Sequence, residues 1–171
     1  DPDSLEGPSL FEKLNIENEF VKDVRADIAN VKLLKDRIQD FQPEIVFHLA
    51  AQPLVKRSYL EPLKTWESNV IGTCNVLEAL RTLKGKCVAV FITTDKVYDN
   101  FSWDFGYRET DPLGGHDPYS SSKAAAELAI SSWRSSFCGD KIHQSSKLLI
   151  ASARAGNVIG GGDWSKDRIV P

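Results

Sequence analysis

The sequence predicts an α/β fold built on a doubly wound parallel β-sheet. Continuous apolar runs, such as Ile45–Ala51 and Cys87–Thr94, alternate with segments whose apolar residues recur at helical spacing. Such runs are typical of parallel strands that are buried on both faces, and the alternation indicates repeated strand–helix units. Small or polar residues follow these runs, at the sheet edge where ligands bind in such folds. We therefore expect a ligand site at the carboxyl ends of the strands.

The first part of the chain predicts one short strand and one capped helix. Residues 1–18 are polar and indicate a loop, with a short helix over Ser9–Leu14. Phe20–Ala26 alternates apolar and polar residues, which predicts a strand. Asn30 is placed to cap a helix that runs to Phe41 and carries one apolar stripe, formed by Val31, Leu34, Ile38 and Phe41.

The middle of the chain predicts a buried strand over Ile45–Ala51 and two helices. A short helix is expected over Leu54–Tyr59, and a long one from Pro62 to about Leu83. We expect one apolar stripe of the long helix to face the core, formed by Leu63, Trp66, Val70, Cys74, Leu77 and Leu80.

The last part of the chain predicts a strand, a long loop, a helix and another strand. Cys87–Thr94 is the strand, and residues 99–118 form a loop whose length favours a functional role. A helix is expected over Tyr119–Phe137 and a buried strand over Leu148–Arg154, with a glycine-rich loop at 155–164.

The overall composition excludes several classes of protein. The chain has 171 residues and a net charge of −3, and its basic residues are dispersed, which does not favour nucleic-acid binding. No apolar run has the length of a membrane helix. The three cysteines are widely spaced and indicate a reducing cytoplasm, and the three histidines are too scattered to suggest a metal site. Because Met is absent even from position 1, we expect a fragment or a processed chain.

Tyr119 and Lys123 form the pair with the clearest catalytic chemistry. Four residues apart on a helix, they share one face. A lysine ammonium stabilises a phenolate and lowers the tyrosine pKa, so that the phenolate can remove a hydroxyl proton. This spacing also occurs by chance, and the position of the pair after the long loop gives it its weight.

Other polar residues allow a functional and a structural interpretation. Thr94, Asp95 and Lys96 offer a hydroxyl, a carboxyl and an ammonium at a strand end, or a simple cap with an ion pair. Asp27 is placed to accept from an adenine amino group, or is a loop carboxylate without a ligand. Asn69 is either a buried structural hydrogen-bonding residue or a cofactor contact.

Three further features give a weaker functional signal. His48, within an apolar strand, is expected to be a satisfied core histidine. The glycines at 160–162 allow the backbone to approach a phosphate, but they lack the spacing of a dinucleotide-binding turn, and a plain turn is the alternative. The loop aromatics either cover a substrate or pack the loop; they are Phe101, Trp103, Phe105 and Tyr107.

Five segments together resemble the extended short-chain dehydrogenase/reductase family. They are FHLAAQP (47–53), NVIGT (69–73), ITTDKVYD (92–99), YSSSK (119–123) and ARAGNVIGGGDW (153–164). Within that family, the TDK segment, LGGHDPYS and GNVIGGGDW are most similar to the CDP-glucose 4,6-dehydratase branch. The resemblance implies a Rossmann-like NAD-binding domain and a smaller sugar-nucleotide domain. It also implies a cytoplasmic homo-oligomer, a dimer or tetramer, that acts in nucleotide-sugar metabolism without a metal.

The resemblance implies a role for each residue of the catalytic set. Tyr119 would deprotonate the sugar 4-hydroxyl, Lys123 would lower the tyrosine pKa and hold the nicotinamide ribose, and Thr94 would bond the 4-oxygen. Asp95 would protonate the departing 6-hydroxyl. Lys96 stands where dTDP-glucose dehydratases carry a glutamate that serves as the C5 base. It would be either a neutral base or an ammonium that stabilises an enolate.

The resemblance also implies the contacts to NAD and to the substrate. The NAD contacts would come from Asp27, Ile28, Leu49, Ala50, Ala51, Gln52, Asn69, Tyr119 and Lys123. Asn157 would contact the substrate diphosphate. We assign residues 1–156 to a partial NAD-binding domain and 157–171 to the start of the substrate region.

The family's glycine-rich GxxGxxG turn has no counterpart in this sequence. We expect the first two strands of the sheet, their helix and most of the sugar-nucleotide domain to be absent. In the strand order 3-2-1-4-5-6, the strand over Phe20–Ala26 would lie two places from that over Ile45–Ala51. We therefore expect a natural protein roughly twice this length, and weak NAD binding by the chain alone.

Overall fold

The computed structural model describes residues 22–138 and 147–164. They fall into two compact units. One comprises residues 26–156, and the other contains the described residues 22–25 and 157–164. The elements below all belong to the first unit. The expectation of a helix at Ser9–Leu14 lies outside the described residues.

Three parallel strands form the sheet in the described part of the first unit. They are β1 (Ile45–His48), β2 (Cys87–Thr94) and β3 (Leu148–Ala155), in the order β1-β2-β3. Ile45 is paired with Val88, and Cys87 with Leu148. Because parallel strands cannot be joined by a tight turn, helices connect them. The predicted α/β fold class with a parallel sheet is confirmed.

Within the described ranges, five α-helices and two short turns accompany the sheet. The helices are α1 (Val31–Phe41), α2 (Val55–Leu60), α3 (Pro62–Trp66), α4 (Gly72–Leu80) and α5 (Pro118–Phe137). A π-helical turn, Glu67–Ile71, joins α3 to α4 without a break, and a 3₁₀ turn, Asp95–Val97, follows β2. The predicted cap is confirmed, since Asn30 Oδ1 accepts from Leu33 N at 3.1 Å. The predicted helices at 54–59 and 119–137 lie within one residue of α2 and α5.

The apolar core lies between one sheet face and the helices. The strand residues Cys87, Ala89 and Phe91 pack there against Leu77, Leu80 and Ile130. The opposite sheet face is open: Ile45 is 62% and Phe47 65% exposed. The expectation that Ile45–Ala51 is buried on both faces is therefore wrong. In the described chain, helices cover only the face to which His48 belongs.

The strand predicted over Phe20–Ala26 is absent from residues 22–26, which have no regular structure. Alternation of apolar and polar residues creates a possible strand face, but a strand also needs a neighbour with which to pair. In the described residues, the sheet contains only β1, β2 and β3. The strand at 45 also ends at His48 instead of Ala51.

The apolar stripe predicted for the long helix is wrong in its first half. Leu63 is 79% exposed, whereas Thr65 and Asn69 are buried. The π-helical turn adds a residue to one turn of the helix and so shifts which side chains face inward. Leu77 and Leu80, beyond this turn, are buried as predicted. The helix ends at Leu80, three residues before the predicted end.

Candidate active site

The carboxyl end of β2 presents three polar side chains in succession. Thr94 is buried, and its Oγ1 donates to Asp95 Oδ1 at 3.2 Å and accepts from Lys96 N at 3.4 Å. Lys96 Nζ lies 3.4 Å from Asp95 Oδ1. The Asp95 side chain is 56% and the Lys96 side chain 43% exposed. The carboxyl and ammonium groups are thus accessible at the end of β2. The Thr94 hydroxyl, by contrast, is hydrogen-bonded to the Asp95 carboxylate and to the backbone of Lys96.

The start of α5 is fixed by its cap. Asp117 Oδ1 accepts from Tyr119 N at 2.9 Å and from Ser120 N at 3.0 Å, and Pro118 occupies the first helical position. Gly115 lies directly against this turn, because a Cβ built on it would be 2.2 Å from the Ser120 carbonyl carbon. These contacts hold Tyr119, which is buried, at a defined position.

Lys123 connects α5 to the last residues of β2. Its buried Nζ donates to the carbonyl oxygen of Ile92 at 3.3 Å, two residues before Thr94. Burial lowers the pKa of Lys123 from 10.5 to about 8, while the negative charge of Glu127 opposes this effect. The amine is therefore still mainly protonated at neutral pH. It supplies a positive charge on the helix face that also carries Tyr119.

Asn69 joins the segment that follows β1 to α5. Its Oδ1 accepts from Gln52 N at 2.8 Å, and its Nδ2 donates to Gln52 O at 3.2 Å and to Ser122 Oγ at 2.9 Å. Ser122 Oγ in turn donates to Tyr119 O at 2.7 Å. Asn69 is 1% exposed, and both the oxygen and the nitrogen of its side-chain amide are hydrogen-bonded to other protein atoms. The structural interpretation of Asn69 is therefore the better supported one.

The side chain of Gln52 shapes the segment that follows β1. Its Nε2 donates to Thr65 Oγ1 at 2.9 Å, and its Oε1 accepts from Leu54 N at 2.6 Å. The preceding residues Leu49 and Ala50 are exposed, and Ala51 is half-buried. Leu49 and the small residue Ala50 are thus accessible beside the end of β1.

Asp27 and Ile28 lie in the turn before α1. Asp27 Oδ1 accepts from Ala29 N at 2.8 Å, and the residue is exposed. Asn75 Nδ2 donates to Ile28 O at 3.0 Å, which ties this turn to α4. The Ile28 side chain fills the space above Gly72, where a Cβ would lie 2.4 Å from its Cδ1.

His48 is a core histidine, as the sequence predicts. Its Nε2 lies 3.2 Å from Thr73 Oγ1, and its ring meets Phe91 edge-on with centroids 5.2 Å apart. Burial, followed by the charge of Lys123, lowers the pKa of His48 from 6.5 to about 4. The imidazole is neutral at physiological pH and has a packing role.

The aromatic residues of the long loop pack on one another. Trp103 contacts Phe101 and Tyr107, and Tyr107 stacks on Tyr98 at 5.1 Å between centroids. Tyr107 Oη also accepts from Phe101 N at 2.8 Å. These contacts favour the loop-packing interpretation, although Phe101 and Phe105 are also exposed.

Sequence reasoning missed two charged residues beside the site. Glu127 is buried one turn beyond Lys123, and Arg154, near the end of β3, donates from Nη2 to Glu127 Oε2 at 3.1 Å. The Lys-x-x-x-Glu spacing on one helix face is a signal that identifies Glu127. Arg154 is visible only as a charge within an apolar strand.

The structure brings most of the predicted residues into one unit, but their roles stay predictions. Asn157 and the glycines at 160–162 belong to the second unit. Among the described residues, no group of three or more His, Cys, Asp or Glu side chains is arranged to hold a metal ion. No helix in the described part of the chain combines the length and apolarity that crossing a membrane requires.

Comparison with known proteins agrees with this architecture. Residues 9–146 match the family described as GDP-mannose 4,6 dehydratase. Over 164 residues the chain is 48% identical to CDP-glucose 4,6-dehydratase of Salmonella typhimurium, covering 96% of this chain and 45% of that protein. The similarity to the CDP-glucose branch is thereby confirmed.

Two solved structures share the fold. RMD from Pseudomonas aeruginosa, complexed with NADPH, has a TM-score of 0.68 and 27% identity, covering 82% of this chain and 44% of that one. UDP-glucose 4-epimerase of Thermus thermophilus, complexed with NAD, has a TM-score of 0.67 and 29% identity, covering 85% of this chain and 44% of that one. The chain thus spans less than half the length of each of these proteins. On the match over residues 9–146, the chain belongs to the GDP-mannose 4,6 dehydratase family, within the extended short-chain dehydrogenases/reductases.

Proposed function

We propose that the protein is an NAD-dependent nucleotide-sugar 4,6-dehydratase that converts CDP-glucose to CDP-4-keto-6-deoxyglucose. The observation that carries the proposal is the bond from Lys123 Nζ to Ile92 O. This contact fixes the tyrosine–lysine face of α5 beside the strand end that carries Thr94. The 48% identity to a CDP-glucose 4,6-dehydratase supports the same substrate.

Tyr119 and Lys123 would carry out the oxidation step at C4. The Tyr119 phenolate takes the proton of the sugar 4-hydroxyl while the C4 hydride leaves, so that the 4-oxygen becomes a carbonyl. The adjacent Lys123 charge stabilises the phenolate. Thr94, held by Asp95 and by the Lys96 amide, positions the 4-oxygen.

Asp95 and Lys96 would carry out the loss of water across C5 and C6. The 4-keto group acidifies the C5 proton, and Asp95 protonates the departing 6-hydroxyl. Lys96 acts either as the base at C5 or as an ammonium that stabilises the enolate. Their accessibility at the strand end leaves both side chains able to reach a bound sugar.

The residues present fit an NAD molecule along the carboxyl ends of the strands. The exposed Leu49–Ala50 strip allows close approach, and the space above Gly72 holds Ile28 beside the exposed Asp27 carboxylate. We propose Asp27 and Ile28 as the adenine contacts. When bound, NAD would supply the hydride acceptor for C4 and the hydride donor for C6, and a proton from solvent would complete the product at C5. Asn69 would act on this site by holding Gln52, and Asn157 would contact the substrate diphosphate.

A 4-epimerase is the second candidate, favoured by the structural likeness to a UDP-glucose 4-epimerase. An epimerase needs no acid for C5–C6 elimination. Asp95→Asn should therefore abolish a dehydratase and leave an epimerase active. A non-catalytic NAD-binding protein would lose nothing on Tyr119→Phe.

The test is to incubate the full-length natural protein with CDP-, dTDP-, UDP- and GDP-glucose or GDP-mannose. We expect a 4-keto-6-deoxy product from CDP-glucose, detected by its ultraviolet absorbance in alkali and by mass. A dTDP- or GDP-sugar product would assign the protein to another dehydratase. The absence of product from every substrate would refute the dehydratase assignment.

We further propose a homo-oligomer, a dimer or tetramer, in the cytoplasm. The exposed apolar side chains of Leu60 and Leu63, which lie on α2 and α3, support an interface between copies. Size-exclusion chromatography with light scattering of the full-length protein tests this, and a monomer at micromolar concentration would contradict it.

A further inference from the structure

Glu127 is a buried carboxylate that the proposed reaction does not use. It is 4% exposed and lies one helical turn beyond Lys123 on α5. Thr93 Oγ1 donates to its Oε1 at 2.5 Å, and Ser152 Oγ and Arg154 Nη2 donate to its Oε2 at 3.0 and 3.1 Å. One carboxylate therefore joins α5 to both β2 and β3.

Lys123 and Glu127 hold successive residues of β2. Lys123 Nζ bonds the backbone of Ile92, and Glu127 bonds the side chain of Thr93. The next residue along the strand is Thr94, where the candidate site begins. The helix that carries Tyr119 is thus fixed at two points to the strand that ends at Thr94.

The charge of Glu127 is retained in spite of its burial. Desolvation raises the pKa of Glu127, but the hydrogen bonds from Arg154, Thr93 and Ser152 together lower it below its usual value. The resulting negative charge raises the pKa of Lys123 against the larger effect of burial. Arg154 offsets part of this charge, and its guanidinium also lies 4.9 Å from the Tyr98 ring centroid.

Two titratable groups are coupled to Lys123: Glu127 raises its pKa, and Lys123 itself contributes to the lowered pKa of His48. His48 is neutral at physiological pH, because burial lowers its pKa to about 4. Charged side chains also occur on the elements packed against α5; they are Asp95 and Lys96 on the 3₁₀ turn, Arg154 on β3, Glu67 on the π-helical turn, Glu78 on α4, Lys64 on α3, and Lys56 and Arg57 on α2. Of the carboxylates named here, Glu127 is the one that is buried.

We propose that Glu127 is a positioning residue that fixes α5 on the ends of β2 and β3 and keeps the Lys123 amine cationic beside Tyr119. The catalytic part of this inference rests on the proposed function, because the charge matters only if Tyr119 acts as the base. The effect of Glu127 on the charge of Lys123 does not depend on that function. It is argued from the hydrogen bonds that join α5 to β2 and β3.

The test measures the protonation of Lys123 in the full-length protein without requiring turnover. Acetic anhydride, which reacts only with the neutral amine, is applied over about pH 6–11, and acetylation of Lys123 is quantified by peptide mass spectrometry. In Glu127→Gln, which keeps size but removes charge, we expect the labelling midpoint to fall by about one pH unit. The surface variant Glu78→Gln, whose partners are Arg81 and Lys35, should leave it unchanged.

Arg154→Gln is a second test variant, for which we expect the Lys123 labelling midpoint to move in the opposite direction. Removing this cation should raise the Lys123 midpoint, because a repulsive charge is lost and Glu127 is no longer partly neutralised. An unchanged midpoint in a folded Glu127→Gln protein would overturn the inference. If Glu127→Gln does not fold, an unchanged or lowered midpoint in Arg154→Gln would overturn it instead.

Activity separates this inference from the proposed function. With less charge on Lys123, the Tyr119 pKa rises, so the acid limb of the kcat/KM profile for Glu127→Gln should move to higher pH. A purely structural role would lower kcat without moving that limb, and would contradict the inference. A shifted labelling midpoint without dehydration of any nucleotide sugar would support the ionic role and refute the proposed function.

Discussion

Replacement of Asn69 by alanine tests how the site is held together. The side chain is 1% exposed and makes three hydrogen bonds, two to the Gln52 backbone and one to Ser122. At about 1 kcal/mol for each lost bond, and a further ~1–2 kcal/mol for buried groups left unpaired, Asn69→Ala should cost about 4–5 kcal/mol. That is a large part of the stability of an ordinary domain.

The assay is urea unfolding of the full-length protein, with Asn75→Ala as the matched control. Asn75 is an asparagine on the adjoining helix that bonds the carbonyl oxygens of Ile28 and Ala29 at 3.0 and 3.3 Å, partly in solvent. Its replacement should cost about 1–2 kcal/mol, because water can pair with the two carbonyl oxygens that lose their partner. The reasoning is refuted if Asn69→Ala costs no more than the control. Reduced NAD affinity with normal stability would favour the cofactor-contact interpretation instead.

Three further predictions concern catalysis, the loop and pH. Tyr119→Phe should lower kcat at least about 100-fold while NAD still binds in a fluorescence titration, because a general base is lost; unchanged kcat would exclude that role. Gly115→Ala should cost about 2 kcal/mol or more in urea unfolding, since its Cβ would lie 2.2 Å from Ser120 backbone. Gly106→Ala, with nothing within 4 Å, should be near neutral, and equal costs would contradict the argument. The pKa of His48 is about 4 in the folded protein, against an ordinary value of 6.5. The neutral imidazole therefore makes its full contribution to the free energy of unfolding above pH 6.5, and that contribution is lost as the pH falls toward 4. The loss is about 3 kcal/mol, and a stability difference between pH 7 and pH 5 that is no smaller in His48→Gln would contradict it.

The residues of the proposed catalytic set could be identified from the sequence because their pattern is local. Thr94, Asp95 and Lys96 are consecutive, and the spacing of Tyr119 and Lys123 is a single helical turn. An apolar run before the first group and a predicted helix that begins at the second were enough to place both. The structure agrees with these elements to within a residue.

The contacts that support these residues could not be predicted from the sequence, because they depend on tertiary packing. The bond between Asn69 and Ser122 spans 53 residues of sequence. It also depends on a π-helical turn, which no periodic pattern in the sequence predicts. The same turn explains why Leu63 is exposed where a regular helix would bury it.

The strand expected at 20–26 is absent from its described part, residues 22–26, for a different reason. Alternation of apolar and polar residues is a feature of a single segment, whereas a strand forms only where another strand lies beside it to pair with. The exposure of Ile45 and Phe47 follows the same principle, since apolar character does not specify what covers a sheet face.

The transfer of the C4 hydrogen within one sugar molecule tests the central claim most directly. CDP-glucose carrying deuterium at C4 is incubated with the full-length protein, and the product is analysed by NMR and mass spectrometry. The proposed chemistry predicts that deuterium appears in the C6 methyl group of a 4-keto-6-deoxy product, with a solvent hydrogen at C5. Deuterium retained at C4 of an epimerised sugar, or unchanged substrate, would contradict the assignment.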